Sequence, residues 1–172
     1  LLPVLREMGV LNNKHVPDAY LWASERQRRA LLAGLLDTDG HVTERGRVTF
    51  TNTNRRLADA VLQLARSLGI KARIVERRAQ MEGRDCGPVW AVSWASPQPV
   101  FRLPRKSARI RTRWSNKKNA HRRIAITRIE RLPILRNTQC IEIDHPSHLY
   151  LAGESMVPTH NSHTAVGIAL CY

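Results

Sequence analysis

Leu32-Ala33-Gly34-Leu35-Leu36-Asp37-Thr38-Asp39-Gly40 runs an apolar helical stretch straight into two carboxylates and a glycine. Just upstream, Ser24-Glu25-Arg26-Gln27 has the form of a capping box. The spacing therefore predicts a helix from about Glu25 that continues through Leu36, with Gly40 suited to a left-handed cap at the exit. Ala30, Ala33 and Gly34 leave a small-residue surface on which another helix backbone can approach closely. Asp37 and Asp39 lie at the helix end where the macrodipole disfavours negative charge, a cost more readily tolerated if a cation is held there. A calcium loop of the EF-hand kind does not fit, because Gly40 follows Asp37 too soon.

Beyond Gly40 the pattern changes to period two. His41–Glu44 and Arg47–Thr53 read as a hairpin around Arg45-Gly46. Asn54 caps a second helix, Arg55–Leu68, whose Leu57, Val61, Leu64, Ala65 and Leu68 fall on one face, with Gly69 at its end. Lys71–Arg77 reads as a strand with Lys71, Arg73 and Arg77 on one side and Ala72 and Ile74 on the other. A turn around Met81–Pro88 leads to a strand over Val89–Ala95, and a shorter helix is expected from about Pro97. Trp90 and Trp94 share a strand face and read as core. The order is helix, two strands, helix, two strands, helix, which makes the fold class α+β.

These residues carry a resemblance. Leu32–Gly40 resembles the motif of the LAGLIDADG (dodecapeptide, DOD-type) homing endonucleases, and the element order matches one αββαββα half of that fold. Asn13-Lys14-His15-Val16-Pro17 resembles the family's lysine block between its two motifs, and Leu68–Ile74 its block after the second motif. The resemblance implies a Mg²⁺-dependent, site-specific cleavage of double-stranded DNA, with Asp39 as the metal carboxylate paired with a counterpart in another half. It implies a helix-end structural role for Asp37 and a catalytic role for Lys14. Ser115-Asn116-Lys117-Lys118 echoes Leu11-Asn12-Asn13-Lys14, which singles out Lys117 or its neighbour Lys118, with Lys106 behind. Leu1–Pro17 would be the tail of a first half, so the chain, which opens on Leu1, is expected to be a piece of a longer precursor.

Charge agrees with a polyanionic partner. The chain has 172 residues, 28 Lys and Arg against 14 acids, and a net charge of +14. All but three of the basic residues (Arg128, Arg131 and Arg136) lie within residues 1–123, and the last eleven residues carry no charge. The expected sheet can read base edges with Arg47, Thr49, Thr51, Lys71, Arg73 and Arg77. Arg105 and Lys106 open an acid-free basic stretch, Arg102–Arg123, suited to phosphate contact or to a basic connector. No apolar run reaches the roughly eighteen residues of a membrane span, and no signal peptide opens the chain. Cys86, Cys140 and Cys171 form no CxxC pair, so a reducing cytoplasm, of a prokaryote or serving a phage gene, is expected.

Residues 124–161 are near-neutral and read as short strands over Arg123–Arg131, Gln139–Asp144, His148–Leu151 and Ser155–Thr159, ending in His160-Asn161-Ser162. Asparagine can close a succinimide by attacking its own carbonyl carbon, a neighbouring imidazole can protonate the leaving amine, and a following serine can accept an acyl group. Cys140–Gly153 and Met156–Ser162 resemble the last two splicing blocks of an intein, the C-terminal all-β part of a Hint domain. The resemblance implies that Asn161 cyclises with help from His160, that His148 tunes proton transfer, and that Ser162 begins the host protein. Cys140 stands where many inteins have Asp. The first nucleophile and the TxxH block are absent, so this stretch could cleave at its C-terminal junction but not join. No cofactor is implied for splicing.

The expected division is 1–123, 124–161 and 162–172, with flanking host segments and the missing N-terminal half as partners. The helical spacing of Ala165, Ile168 and Ala169 after Ser162-His163-Thr164 suggests a P-loop ATPase host, such as a phage terminase or a replicative helicase. A zinc site from Cys140, His145, His148, His160 and His163 matches no standard finger spacing. A non-catalytic DNA-binding protein on the same scaffold, or a free-standing endonuclease without splicing, are the alternatives.

Overall fold

A computed structural model describes residues 2–95, 99–110, 128–131, 133 and 141–160. The chain divides into two units, residues 1–121 and 122–172.

The first unit is organised by the helix that ends in the two aspartates. After two short helices, α1 (Leu2–Glu7) and α2 (Asp18–Leu21), α3 spans Glu25–Asp39. Ser24 and Gln27 close a reciprocal capping box at its start, each side-chain oxygen accepting from the other's backbone amide. The helix buries Leu32, Ala33 and Leu36 and runs three residues further than the apolar pattern suggested. Gly40 does not form the expected left-handed cap; its φ is −82° and ψ 149°. It is needed for space instead. A Cβ there would stand 2.5 Å from the carbonyl oxygen of Leu36 and 2.8 Å from its Cα. Gly34 is different, since a Cβ there would meet nothing within 4 Å among the described residues, while Ala33 beside it is buried.

Strands β1 (Gly40–Val42) and β2 (Arg47–Asn52) form the expected hairpin, with Gly46 at φ +77°. Asn54 accepts from Leu57 N and starts α4 (Arg55–Ser67), whose Leu57, Val61, Leu64 and Ala65 are buried; Gly69 at φ +73° lets the chain turn away. The guanidinium of Arg28 on α3 donates 2.9 Å to Ser67 O and so satisfies a carbonyl at the end of α4.

Strands β3 (Arg73–Met81) and β4 (Arg84–Ala95) are longer than expected, because their turn is only Glu82-Gly83. Both turn residues have positive φ, 52° and 78°, as a type I′ hairpin requires. Pro88 is therefore inside a strand, tolerated because the part of β4 before Trp90 pairs with β3 alone. The order is β1-β2-β4-β3, antiparallel throughout. Val42, Val48, Phe50, Val92 and Trp94 pack against α3 and α4 in one core with Ile74 and Trp90 at its margin. The last helix, α5, is Pro104–Ser107 rather than a helix starting near Pro97; residues 96–98 lie outside the described residues.

In the second unit β5 (Leu149–Ala152) and β6 (Val157–His160) form an antiparallel hairpin. The described parts of the other two expected strands, 128–131 and 141–144, enter no ladder. A strand is defined by its partner, and alternation alone does not supply one.

Gly40→Ala should lower unfolding stability by about 1–3 kcal/mol, as overpacking against backbone does, read by urea denaturation with circular dichroism. An unchanged midpoint would show that the α3–β1 junction can relax.

Candidate functional site

At the end of α3 the two aspartates are treated unlike each other. Both carboxylate oxygens of Asp37 accept from Arg102 N at 3.2 Å, and Oδ1 also accepts from Leu103 N at 3.3 Å. Leu103 is the N-cap of α5, so Asp37 holds the two amides that lead into this helix. The return contact comes from Lys106 on α5. Its Nζ donates to Leu36 O (2.9 Å), Asp37 O (2.8 Å) and Gly40 O (2.6 Å), and lies 5.6 Å from the centroid of buried Phe101. A cation is thus present at this helix end, and it is a lysine of the same chain. Lys106 was expected to contact phosphate; here an ammonium with three protons has all three on carbonyls.

Asp39 is exposed, and its carboxylate makes no hydrogen bond or ion pair among the described residues. One free carboxylate beside a helix end suits a hard divalent ion as part of a ligand set. It is not a whole set, since the described residues hold no group of three metal-ligating side chains. Lys14 is also exposed, and no ion pair joins it to Asp39. Its backbone is fixed by buried Val16 and by Asn54 Nδ2, which donates 2.8 Å to Lys14 O. Lys117 lies outside the described residues.

The ladder register sorts the remaining candidates. Thr49 and Arg73 flank Ser93 on one rung, Thr51 sits opposite Ala91, Arg47 opposite Ala95, and Arg77 opposite Val89. Because side chains alternate, all five point away from the face that packs on the helices. His41, opposite Thr49, joins them. The central strand contributes small side chains, Ala91 and Ser93, so the longer ones stand on either side of a low floor. Lys71 is exposed just before β3 and outside the ladder, and Arg105 is exposed on α5. The β3–β4 ribbon runs on past the rest of the sheet, stiffened by the ion pair of Arg78 with Asp85 and tipped by exposed Met81. Sequence reasoning missed Ser93, His41 and the tie from Asn54 to Lys14, which only register and tertiary contact reveal.

In the second unit His148 and His160 meet edge to face, ring centroids 6.2 Å apart, because Leu149 pairs with His160 across the hairpin. His148 Nδ1 lies 3.2 Å from Ile143 O. A carbonyl can only accept, so Nδ1 is the donor in this contact and Nε2 is turned away from it. Cys140, Asn161 and Ser162 lie outside the described residues.

The profile of the LAGLIDADG-like domain matches residues 26–130. The chain belongs to this family. The match takes in the four-stranded sheet, α4, α5 and nearly all of α3, and continues past residue 121. The LAGLIDADG-like chain is 40% identical over 161 residues to the replicative DNA helicase DnaB of Mycobacterium intracellulare, which covers 92% of this chain and 27% of that relative. It is 47% identical over 38 residues to the replicative DNA helicase DnaB of Mycobacterium leprae, 22% of this chain and 6% of the relative. It is 29% identical over 75 residues to the homothallic switching endonuclease of Saccharomyces cerevisiae, 40% of this chain and 13% of the relative. The chain thus spans about a quarter of the length of the first of these relatives and less of the others. No described helix is long and apolar enough to cross a membrane.

Arg78, and after it the Gly87 amide, hold the Asp85 carboxyl below the ordinary aspartate value. A lowered folded pKa means that the ribbon's ion pair is complete above the unfolded pKa and is lost as pH falls through the folded one. Carboxyl NMR should therefore show the Asp85 midpoint rising in Arg78→Gln. A midpoint that does not move would show that the pair does not set it.

Proposed function

We propose that this chain is the C-terminal part of an intein, a LAGLIDADG homing endonuclease half followed by a splicing junction, inserted in a DnaB-type replicative helicase. The observation that carries the reading is a combination. A LAGLIDADG-like chain presents at the motif helix end a carboxylate with no partner among the described residues, yet aligns over 92% of its length within a protein named as a helicase. Its further similarity to a protein named as an endonuclease supports an inserted nuclease rather than a helicase domain. The helicase match also favours a replicative helicase over a terminase as host.

In the nuclease half, Asp39 would share a divalent cation with an equivalent carboxylate of the first half, α3 meeting its counterpart across the surface left by Ala30 and Gly34. Bound there, Mg²⁺ would activate water and stabilise the leaving oxygen of a phosphodiester. Lys14, and Lys117 in this half, would steady the phosphate or the water. Arg47, Thr49, Thr51, Arg73 and Arg77 would face the major groove of double-stranded DNA, with Lys71 and Arg105 toward the backbone. In the junction, the His148 ring beside His160 would give a route for moving a proton toward the amine that leaves when Asn161 cyclises. Ser162 would take the upstream acyl group once the N-terminal half of the precursor completes the domain. A DNA-binding protein without cleavage is the second reading, favoured because the described residues hold no group of three metal-ligating side chains.

In the full precursor, Asp39→Asn should abolish cutting of plasmid carrying the empty insertion site while leaving excision of the insert intact on a gel. Asn161→Ala should do the reverse. Unchanged excision in Asn161→Ala rejects the splicing junction; a wild type that binds but never nicks the site with Mg²⁺ leaves the non-catalytic reading. Replacing Arg73 and Arg77 together by Ala should weaken DNA binding and reduce the salt slope by about 1 for each phosphate no longer neutralised. No change in either would remove the outer sheet face from the interface.

A further inference from the structure

We infer that Lys106 is a positioning residue for Asp39, holding the backbone that carries this carboxylate from both sides. The inference rests on the nuclease reading for the use to which Asp39 is put. Its geometry does not. Two of the carbonyls that Lys106 gathers, those of Leu36 and Asp37, precede Asp39, and the third, Gly40 O, follows it. One ammonium therefore ties the last turn of α3 to the first residue of β1, across the point where the chain changes from helix to strand. Asp39 lies within the tied segment and, unlike Asp37, keeps its carboxylate free of any described partner.

The site of attachment is itself held. Lys106 sits on α5, whose incoming amides, Arg102 N and Leu103 N, end on the Asp37 carboxylate, and the ammonium lies against the ring of Phe101. Asp37 and Lys106 thus form a reciprocal pair in which each side chain satisfies the other element's backbone, and Asp39 is aimed by the result. Reactive groups need their supporting backbone fixed to a fraction of an ångström, and that is what three hydrogen bonds to one point achieve.

The test uses the full precursor with K106M and K106R. K106M should cut its DNA site roughly 10- to 100-fold more slowly at saturating DNA, the range for loss of a group supporting a metal ligand. KM for DNA and metal-free DNA affinity should be unchanged. Asp39-dependent Mn²⁺ affinity, read by electron paramagnetic resonance against D39N, should fall over the same range. K106R keeps the charge but not the compact three-donor geometry, and should fold, bind DNA normally and lose kcat and Mn²⁺ affinity to a smaller degree. If K106M does not fold, K106R decides: wild-type kcat and Mn²⁺ affinity in that variant overturn the inference. So does a K106M protein that loses DNA affinity and salt slope instead, because Lys106 is then a phosphate contact. A wild type that cuts no DNA defeats the nuclease reading, and the Mn²⁺ titration still decides this one. An affinity that depends on Asp39 and drops in K106M upholds it, and one indifferent to K106M, or absent altogether, overturns it.

Discussion

Lys106 and Asp37 exchange partners across the helix ends that meet at the motif: the ammonium takes carbonyls of the last turn of α3, sharing Leu36 O with the Gly40 amide, and the carboxylate takes amides at the start of α5. Every helix ends with backbone groups lacking an internal partner, and burying them costs free energy unless something polar replaces water. Hydrogen bonds to charged groups contribute about 1.5–3 kcal/mol each, more than neutral ones. Two opposite charges used in this way complete two helix ends at once and leave neither charge uncompensated. Arg28 does the same for α4 through Ser67 O. Both long helices of the unit thus end on cations, and Asp39 is the acid left over.

The sheet depends on that arrangement, because β1 begins at Gly40, where the clamp ends. Without a side chain at Gly40 the strand can leave directly over the Leu36 carbonyl. From there antiparallel register propagates through β2 to β4 and β3, and alternation places apolar residues on the helices and arginines and threonines on the other face. A shift of one residue in β2 would send Val48 and Phe50 outward and Thr49 inward, so burial of those two side chains fixes the register. The outer face is a consequence of the core.

The second unit contributes a hairpin whose Leu149 and Leu151 are largely exposed. A lone two-stranded hairpin is marginal in water and gains stability from packing against more sheet. In the proposed precursor that sheet comes from the N-terminal splicing segment. What the hairpin settles by itself is the meeting of His148 and His160, twelve residues apart in sequence and side by side through pairing.

Much of this was legible in the residues because its causes are local. Ser24 with Gln27, Asn54 with Leu57, and the glycines at 46 and 69 set element ends through contacts a few residues long, and the apolar spacing of Leu57, Val61 and Leu64 named the buried face of α4. Asp37 and Asp39 stood out together as acids at a helix end, and the resemblance of Leu32–Gly40 to the family motif singled out Asp39. The turn at Glu82-Gly83 was less legible, since a glutamate at positive φ gives no compositional signal until both flanking strands are paired. The clamp made by Lys106 was not legible at all. This lysine lies in a run of basic residues that share one composition, and only the packing of α5 against the end of α3, about seventy residues away in sequence, brings its ammonium to three carbonyls. The sequence determined the ends of α3 and α4, the first hairpin and the pair of carboxylates at the motif through short-range spacing; the tertiary structure decided which charges are committed to backbone and which have no partner among the described residues, because that depends on contacts between distant segments.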